Sequence, residues 1–313
     1  MLGRTAGGLY WMFRYLERSE NTARLVETGL RISLTKSSDK VDDWSSILDT
    51  AAAKELYLEH HVSVDDDKVI DFLLRDRSNP SSVLSVIEAA RMNARQVRTA
   101  LTREVWEATN DCWMRLHDVL RHPVSRQRLP DALAAVRQES ALVRGALHGT
   151  MLRNDIYNFC RLGTFIERAD NTARILDVKY YVLLPSPLLI GTQVDNVQWE
   201  TLLRALSAQR AYHWQHRGPA DAQSIAQFLV LDPQMPRSLA FCYRKIAANL
   251  GYLGYDYGDK PRSHEIAIRL HHSVAARNIS EIFGEGLHEF LLARVADTRE
   301  LGEQIEADYR FTR

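Results

Sequence analysis

Two short stretches hold the residue types with which this chain could do chemistry. Leu16 to Arg24 reads LERSENTAR, and Ile166 to Arg174 reads IERADNTAR. At about 100° per residue, Glu17, Asn21 and Arg24 fall within roughly 60° of one another on a helix, and Arg14 extends that face. Glu167, Asn171 and Arg174 repeat it, with Thr164 where the first stretch has Arg14. A guanidinium so placed can grip a carboxylate or phosphate through two parallel hydrogen bonds, which makes Arg24 and Arg174 candidate anion ligands. Glu17 or Glu167 could act as a general base, or hold an amine, if burial raised its pKa. Arg18 and Arg168 point about 100° away from the adjacent glutamate, so neither Glu-Arg pair closes as a simple salt bridge within its own helix. The candidate ligand-binding set is therefore Arg14, Glu17, Arg18, Asn21, Arg24, Glu167, Arg168, Asn171 and Arg174, with no catalytic role assigned. The competing explanation is a pair of internal polar networks that lock helices in register.

The helices that must carry these residues are apolar on most sides. Leu9, Met12, Phe13, Tyr15, Leu16, Ala23, Leu25 and Val26 surround the first face, and Phe159, Leu162, Phe165, Ile166, Ala173, Ile175 and Leu176 the second. Such helices are expected to be buried. Their charges then need partners, because an unpaired buried charge costs several kcal/mol. The two helices would meet near an axis where the charged faces look at each other.

The likeness continues downstream. Trp44 in DDWSSIL parallels Trp199 in VQWETLL, and VIDFLLRDRSNPSSV (Val69 to Val83) parallels IAQFLVLDPQMPRSL (Ile225 to Leu239). That second pair repeats Phe72/Phe228, Asp76/Asp232, Pro80/Pro236 and Ser82/Ser238. The offset drifts only from 150 to about 156 residues along this path. Landmarks in one order at one spacing indicate a tandem duplication with a seam near Gly149 to Arg153. The period is too long for a solenoid of short repeats. The expected architecture is all-α: a helical bundle of two pseudo-two-fold-related halves, residues 1–149 and 150–313, forming one compact unit without a Pro/Gly/Ser-rich linker. Five or six helices per half are expected. Asn79-Pro80 reads as N-cap and first helical position, Pro130 and Pro236 as helix openers, and the acidic run Asp65 to Asp67 as a helix start that suits the dipole. GYLGYDYGDKP (Gly251 to Pro261) reads as a helix-ending loop.

Composition narrows the function classes. The 40 basic residues balance the 40 acidic ones at a pI near 7.2, which argues against a general nucleic-acid binder. No apolar run reaches the roughly 18 residues of a membrane span, and no secretory cleavage pattern opens the chain, so a cytoplasmic protein is expected. Cys112, Cys160 and Cys242 have no CxxC spacing, against both a disulfide framework and a thiolate zinc site. His60 falls opposite His216, but neither lies in a Glu-x-x-His pattern, and no metal is expected. GEGLH (Gly284 to His288) lacks the Lys-Ser/Thr of a phosphate-cradling loop, and the cofactor is left open.

GLYWMFRYLERSENTARLVE and RNDIYNFCRLGTFIERADNTARILDVKYY resemble the bacterial alpha-E proteins, a family named for its α-helical character and its Glu-Arg motif. The likeness runs essentially end to end and takes in NPSSVLSVIEAARMNARQVR, SIAQFLVLDPQMPRSL and SEIFGEGLHEFL. Against the Gly-Arg that usually precedes the aromatic-Leu-Glu-Arg motif, the first copy has Phe13 before Arg14 and the second has Gly163 before Thr164. The missing arginine at 164 bears on any symmetric role for the two sites. The resemblance implies a genomic setting beside circularly permuted ATP-grasp proteins of the peptide-ligase type and transglutaminase-like peptidases. The expected function is a non-catalytic helical partner or ligand-binding module of such a system, binding a carboxylate, phosphate or peptide. Two alternatives stand beside it: an enzyme forming or cleaving an amide bond with Glu17 or Glu167 as acid-base group, and a structural scaffold or homo-oligomer.

Overall fold

Two long helices cross at the centre, and everything else packs around their crossing. The computed structural model describes residues 1–35, 40–182, 193–218 and 220–311. The described residues form fifteen α-helices, one short 3-10 turn and no strand. The first seven helices are α1 (Gly3–Thr35), α2 (Lys40–Thr50), α3 (Lys54–His60), α4 (Asp66–Leu74), α5 (Val83–Gln96), α6 (Arg103–Val119) and α7 (Leu129–Thr150). The remaining eight are α8 (Asp155–Val182), α9 (Gln193–Ala205), α10 (Gln209–Gln215), α11 (Ala222–Leu231), α12 (Leu239–Tyr257), α13 (Arg262–Ala275), α14 (Ile279–Glu285) and α15 (Leu287–Asp308). These are more helices than the five or six per half expected, because short helices such as α3, α10 and α14 lie between the longer ones.

α1 and α8 are the buried pair. Leu9, Tyr10, Met12, Phe13 and Leu16 on one, and Phe159, Leu162, Phe165 and Ile166 on the other, are withdrawn from solvent. α1 packs on α8, α5 and α7, and α8 packs on α1, α12 and α15. The two backbones touch at Gly163, where an added Cβ would sit 2.1 Å from the carbonyl oxygen of Tyr10. Glycine at 163 is thus a condition of the crossing distance. No helix among the described residues is long and apolar enough to cross a membrane.

The helix starts follow side-chain chemistry more than proline position. Asp65 caps α4 by accepting from the Lys68 N–H. Pro130 lies in the first turn of α7, where its missing N–H costs nothing. At Asn79-Pro80 and at Pro236 the helix begins two or three residues later than expected: Ser82 caps α5 and Ser238 caps α12. The Asn79 side chain holds a turn instead, its Nδ2 donating to the Phe72 carbonyl and its Oδ1 accepting from Ser81 N–H. The glycine- and tyrosine-rich stretch after Gly251 is mostly helical, since α12 continues to Tyr257 and ends on Gly258 at φ 68°. His60 is exposed; the ring stacked on Tyr57 is His61, and the ring stacked on Tyr212 is His216.

Gly163→Ala forces a side chain into the α1–α8 contact and is expected to cost on the order of 3 kcal/mol by overpacking. Gly145, on the exposed side of α7 with nothing near its missing Cβ, serves as the control: Gly145→Ala should stabilise by about 0.5–1 kcal/mol. Chemical denaturation followed by circular dichroism checks both, and equal stability of the two variants would contradict the close crossing.

Candidate functional site

The crossing places each signature glutamate against the opposite helix's arginine. Arg18 Nε and Nη2 donate to Glu167 Oε1 and Oε2 at 2.6 and 2.9 Å. Arg168 Nε and Nη2 donate to Glu17 Oε1 and Oε2 at 2.8 and 2.9 Å. Both pairs are bidentate, the geometry a planar guanidinium makes with a carboxylate. The adjacent Glu-Arg residues point apart on their own helix, and this divergence lets them pair across the crossing.

Each glutamate has further cations. Arg14 Nε donates to Glu167 Oε2 at 3.0 Å. Its guanidinium passes beside Gly302, where a Cβ would lie 3.7 Å from Arg14 Nη1. On the other side Thr164 turns its hydroxyl onto the Cys160 carbonyl, and Arg144 from α7 reaches Glu17 at 3.4 Å and Glu20 at 2.5 Å. The arginine absent at 164 is thus replaced by one from another helix. Burial alone would raise the Glu17 carboxyl, but Arg168, Arg237 and Arg144 hold it well below the ordinary carboxylate range. Burial opposes ionisation of Glu167 as well, and Arg18 and Arg14 pull it down to about 2. The premise of a raised pKa for either residue is overturned. Both are ionised counter-ions, poorly suited to accept a proton near neutral pH.

Arg24 also departs from its expected role. Its Nε and Nη2 donate to Glu20 Oε1 at 3.1 and 2.6 Å, and its Nη1 donates to the Ala205 carbonyl and to Ser207 Oγ. Ala205 is the last residue of α9, so Arg24 satisfies a helix-end carbonyl and has little left for a ligand. Arg174 makes the corresponding pair with Asp170, at 2.8 Å, but stays about a third exposed. Asn21 Oδ1 accepts from Arg237 Nη1 at 3.2 Å, while Arg237 Nη2 donates to Glu20 Oε1 at 2.6 Å. Burial, together with Arg24 and Arg168, lowers Arg237 to about 10 against the pull of Glu17 and Glu20.

Glu20, Asp170, Arg144 and Arg237 are members of this site that the sequence reading passed over. The first two had a signal, an acidic residue four before Arg24 and four before Arg174 inside the repeated stretch. Arg144 and Arg237 come from other helices and turns, and only the folded chain brings them in.

Beside Arg174 lies a pocket of about 220 Å³ between α1, α8, the Thr50–Ala53 turn and the Asn79–Ser81 turn. Arg18, Asn21, Glu167, Asp170, Asn171 and Arg174 all reach its wall. Asn21 and Asn171 are buried, and Asn21 Nδ2 and Asn171 Oδ1 have no hydrogen-bond partner among the described residues. Unmatched buried polar atoms are costly, and both asparagines that carry them also contribute to the pocket lining. Among the described residues no group of three His, Cys, Asp or Glu is arranged to hold a metal ion. The three cysteines are buried, and desolvation pushes Cys112 and Cys242 up to about 12, which suppresses their thiolates.

Glu167→Gln leaves two guanidiniums facing a neutral group and is expected to cost about 3–5 kcal/mol, whereas Glu107→Gln in the exposed Arg103–Glu107 pair should change stability little. Because the folded-state pKa of Glu167 is depressed, its contribution is present above the unfolded value near 4.5 and disappears as pH falls toward about 2. Melting temperatures between pH 6 and 2 should fall more steeply for the wild type than for Glu167→Gln; parallel curves would contradict the pairing.

Comparison with known proteins places this geometry in context. The Alpha-E family model, described as a predicted alpha-helical domain with a conserved ER motif, matches residues 1–309. An uncharacterised protein of Mycobacterium bovis is 24% identical over 336 residues, covering 97% of this chain and 36% of the relative. An uncharacterised protein of Mycobacterium tuberculosis strain H37Rv is 23% identical over the same span. The chain therefore covers about a third of the length of these curated relatives. No solved structure matches it. The Glu-Arg dipeptides that give the family its description are here the residues that pair α1 with α8, and the chain belongs to the Alpha-E family.

Proposed function

We propose that this chain is a non-catalytic binding module whose pocket at the α1–α8 crossing takes a small polar ligand or a peptide side chain. The observation that carries this reading is a polar pocket lined by Asn21 and Asn171, each of which keeps a buried amide atom without a partner among the described residues. The family resemblance adds the partners: a circularly permuted ATP-grasp protein, which the module would dock or supply, and a transglutaminase-like protein, in a cytoplasmic setting. The depressed pKa of Glu17 and Glu167 weighs against the alternative of an amide-forming or amide-cleaving acid-base enzyme.

The module is proposed to have arisen by tandem duplication, with residues 1–149 and 150–313 as its copies. Asp65 and Asp221 cap α4 and α11, and Ser82 and Ser238 cap α5 and α12. Ala52 and Ser207 both take φ near +50° in the turn after the second helix of each half. The Tyr57–His61–Phe72 cluster has its counterpart in Tyr212–His216–Phe228. These recurrences support two copies related by a pseudo-two-fold axis through the α1–α8 crossing.

Native mass spectrometry of protein purified with a co-expressed ATP-grasp partner tests both parts. The expected result is a complex, or a bound small molecule that Asn171→Leu releases. Separate bare proteins at micromolar concentration would count against the module.

A further inference from the structure

The residue before the N-cap of α12 is Arg237, and the residue before the N-cap of α5 is Ser81. Pro236 and Ser238 align with Pro80 and Ser82 on either side of them, so the two positions correspond in the repeat. Their surroundings also correspond. Arg237, only 6% exposed, sends its guanidinium between Glu17, Glu20 and Asn21. Glu167, Asp170 and Asn171 hold the matching places in the repeated stretch, and all three line the pocket that Ser81 also borders.

The acceptor left open there is informative. Asn21 Oδ1 is satisfied by Arg237 Nη1, whereas Asn171 Oδ1 has no partner among the described residues. Space agrees with this. Serine replaces arginine at 81, and aspartate replaces the longer glutamate at 170. Both changes enlarge the one cavity, which has about 220 Å³. Glu17 and Glu20 are held by Arg24, Arg144, Arg168 and Arg237, whereas Glu167 and Asp170 are held by Arg14, Arg18 and Arg174. The pocket side has one guanidinium fewer than its counterpart, although its three guanidiniums still outnumber its two carboxylates.

We propose that the pocket binds a guanidinium group, either the side chain of an arginyl peptide or a free alkylguanidine, in the way that the other half binds its own Arg237. This deepens the binding-module proposal and rests on it. The guanidinium would donate to Asn171 Oδ1 and to the Asp170 and Glu167 carboxylates. Asn21 Nδ2 remains for an acceptor further along the ligand, such as a peptide carbonyl. The anion-binding role expected for Arg24 and Arg174 is taken up within the chain, because each of those arginines already has its carboxylate.

The test is isothermal titration of the full chain with agmatine, N-acetyl-arginine amide, citrulline, glutamate and inorganic phosphate, on the wild type and on Ser81→Arg. Agmatine or the arginine amide should bind, and citrulline, which has the same shape without the charge, should bind roughly tenfold or more weakly. Tighter binding of the amide would mark a peptide side chain, and tighter binding of agmatine a free small molecule. Ser81→Arg should fill the pocket from within, abolish this binding and raise the melting temperature. Phosphate or glutamate binding with agmatine silent would overturn the guanidinium assignment while leaving the pocket as a binding site. Silence of all five probes, with Asn171→Leu as stable as the wild type, would remove the site itself. The wild-type titrations stand whether or not the variant folds.

Discussion

A carboxylate withdrawn from water must find cations, and here two helices satisfy that demand by exchange. Glu17 takes Arg168 and Glu167 takes Arg18, so neither α1 nor α8 can be removed without stranding charge in the other. The contact at Gly163 brings the backbones close enough for both bidentate pairs to form. The shells of α5, α7, α12 and α15 then cover a crossing that is polar at its centre and apolar around it. A buried ion pair is often no more stable than a well-packed apolar one, but breaking one partner is severe. Such a centre therefore sets which helices meet, and at what register, more than it raises the total stability.

The two sides of the crossing meet the same demand with different parts. Glu167 draws its extra cation from Arg14 on α1, whereas Glu17 draws on Arg144 and Arg237 from α7 and the turn before α12. Small differences in side-chain length decide the outcome. Arg237 fills one side; Ser81 and Asp170 border a pocket on the other. One side is filled and the other holds a pocket, although the nine-residue stretches at their centre are nearly the same. The two faces need not play one role: the face around Glu17 is filled by Arg237, and the face around Glu167 borders a pocket.

The features legible in the sequence were periodic or repeated ones. The all-α class followed from helix-forming composition and the spacing of apolar residues, and the burial of α1 and α8 followed from apolar residues on most of their surface. The need for buried counter-charges followed from physics once burial was granted. Asp65 at the start of α4 was legible for the same reason, since the signal lies within one turn of the residue it caps. Capping at Ser82 and Ser238 was not read correctly, because proline drew the boundary forward while the Asn79 side chain was taken up by its own turn.

Which charge pairs with which emerges from the packing of the helices. Arg18 and Arg168 looked misdirected on a single helix and prove to be the cross-helix partners. Arg24 looked like a ligand-binding arginine and proves to satisfy the end of α9. Arg144 and Arg237 lie 127 and 220 residues from the glutamate they reach, and no local pattern reports them. The direction of the glutamate pKa could not be read either, since burial and neighbouring guanidiniums act with opposite sign and the winner depends on distances of about 3 Å. Helical periodicity is a property of neighbours along the chain, whereas ion pairing and the pocket depend on contacts between segments that only folding brings together.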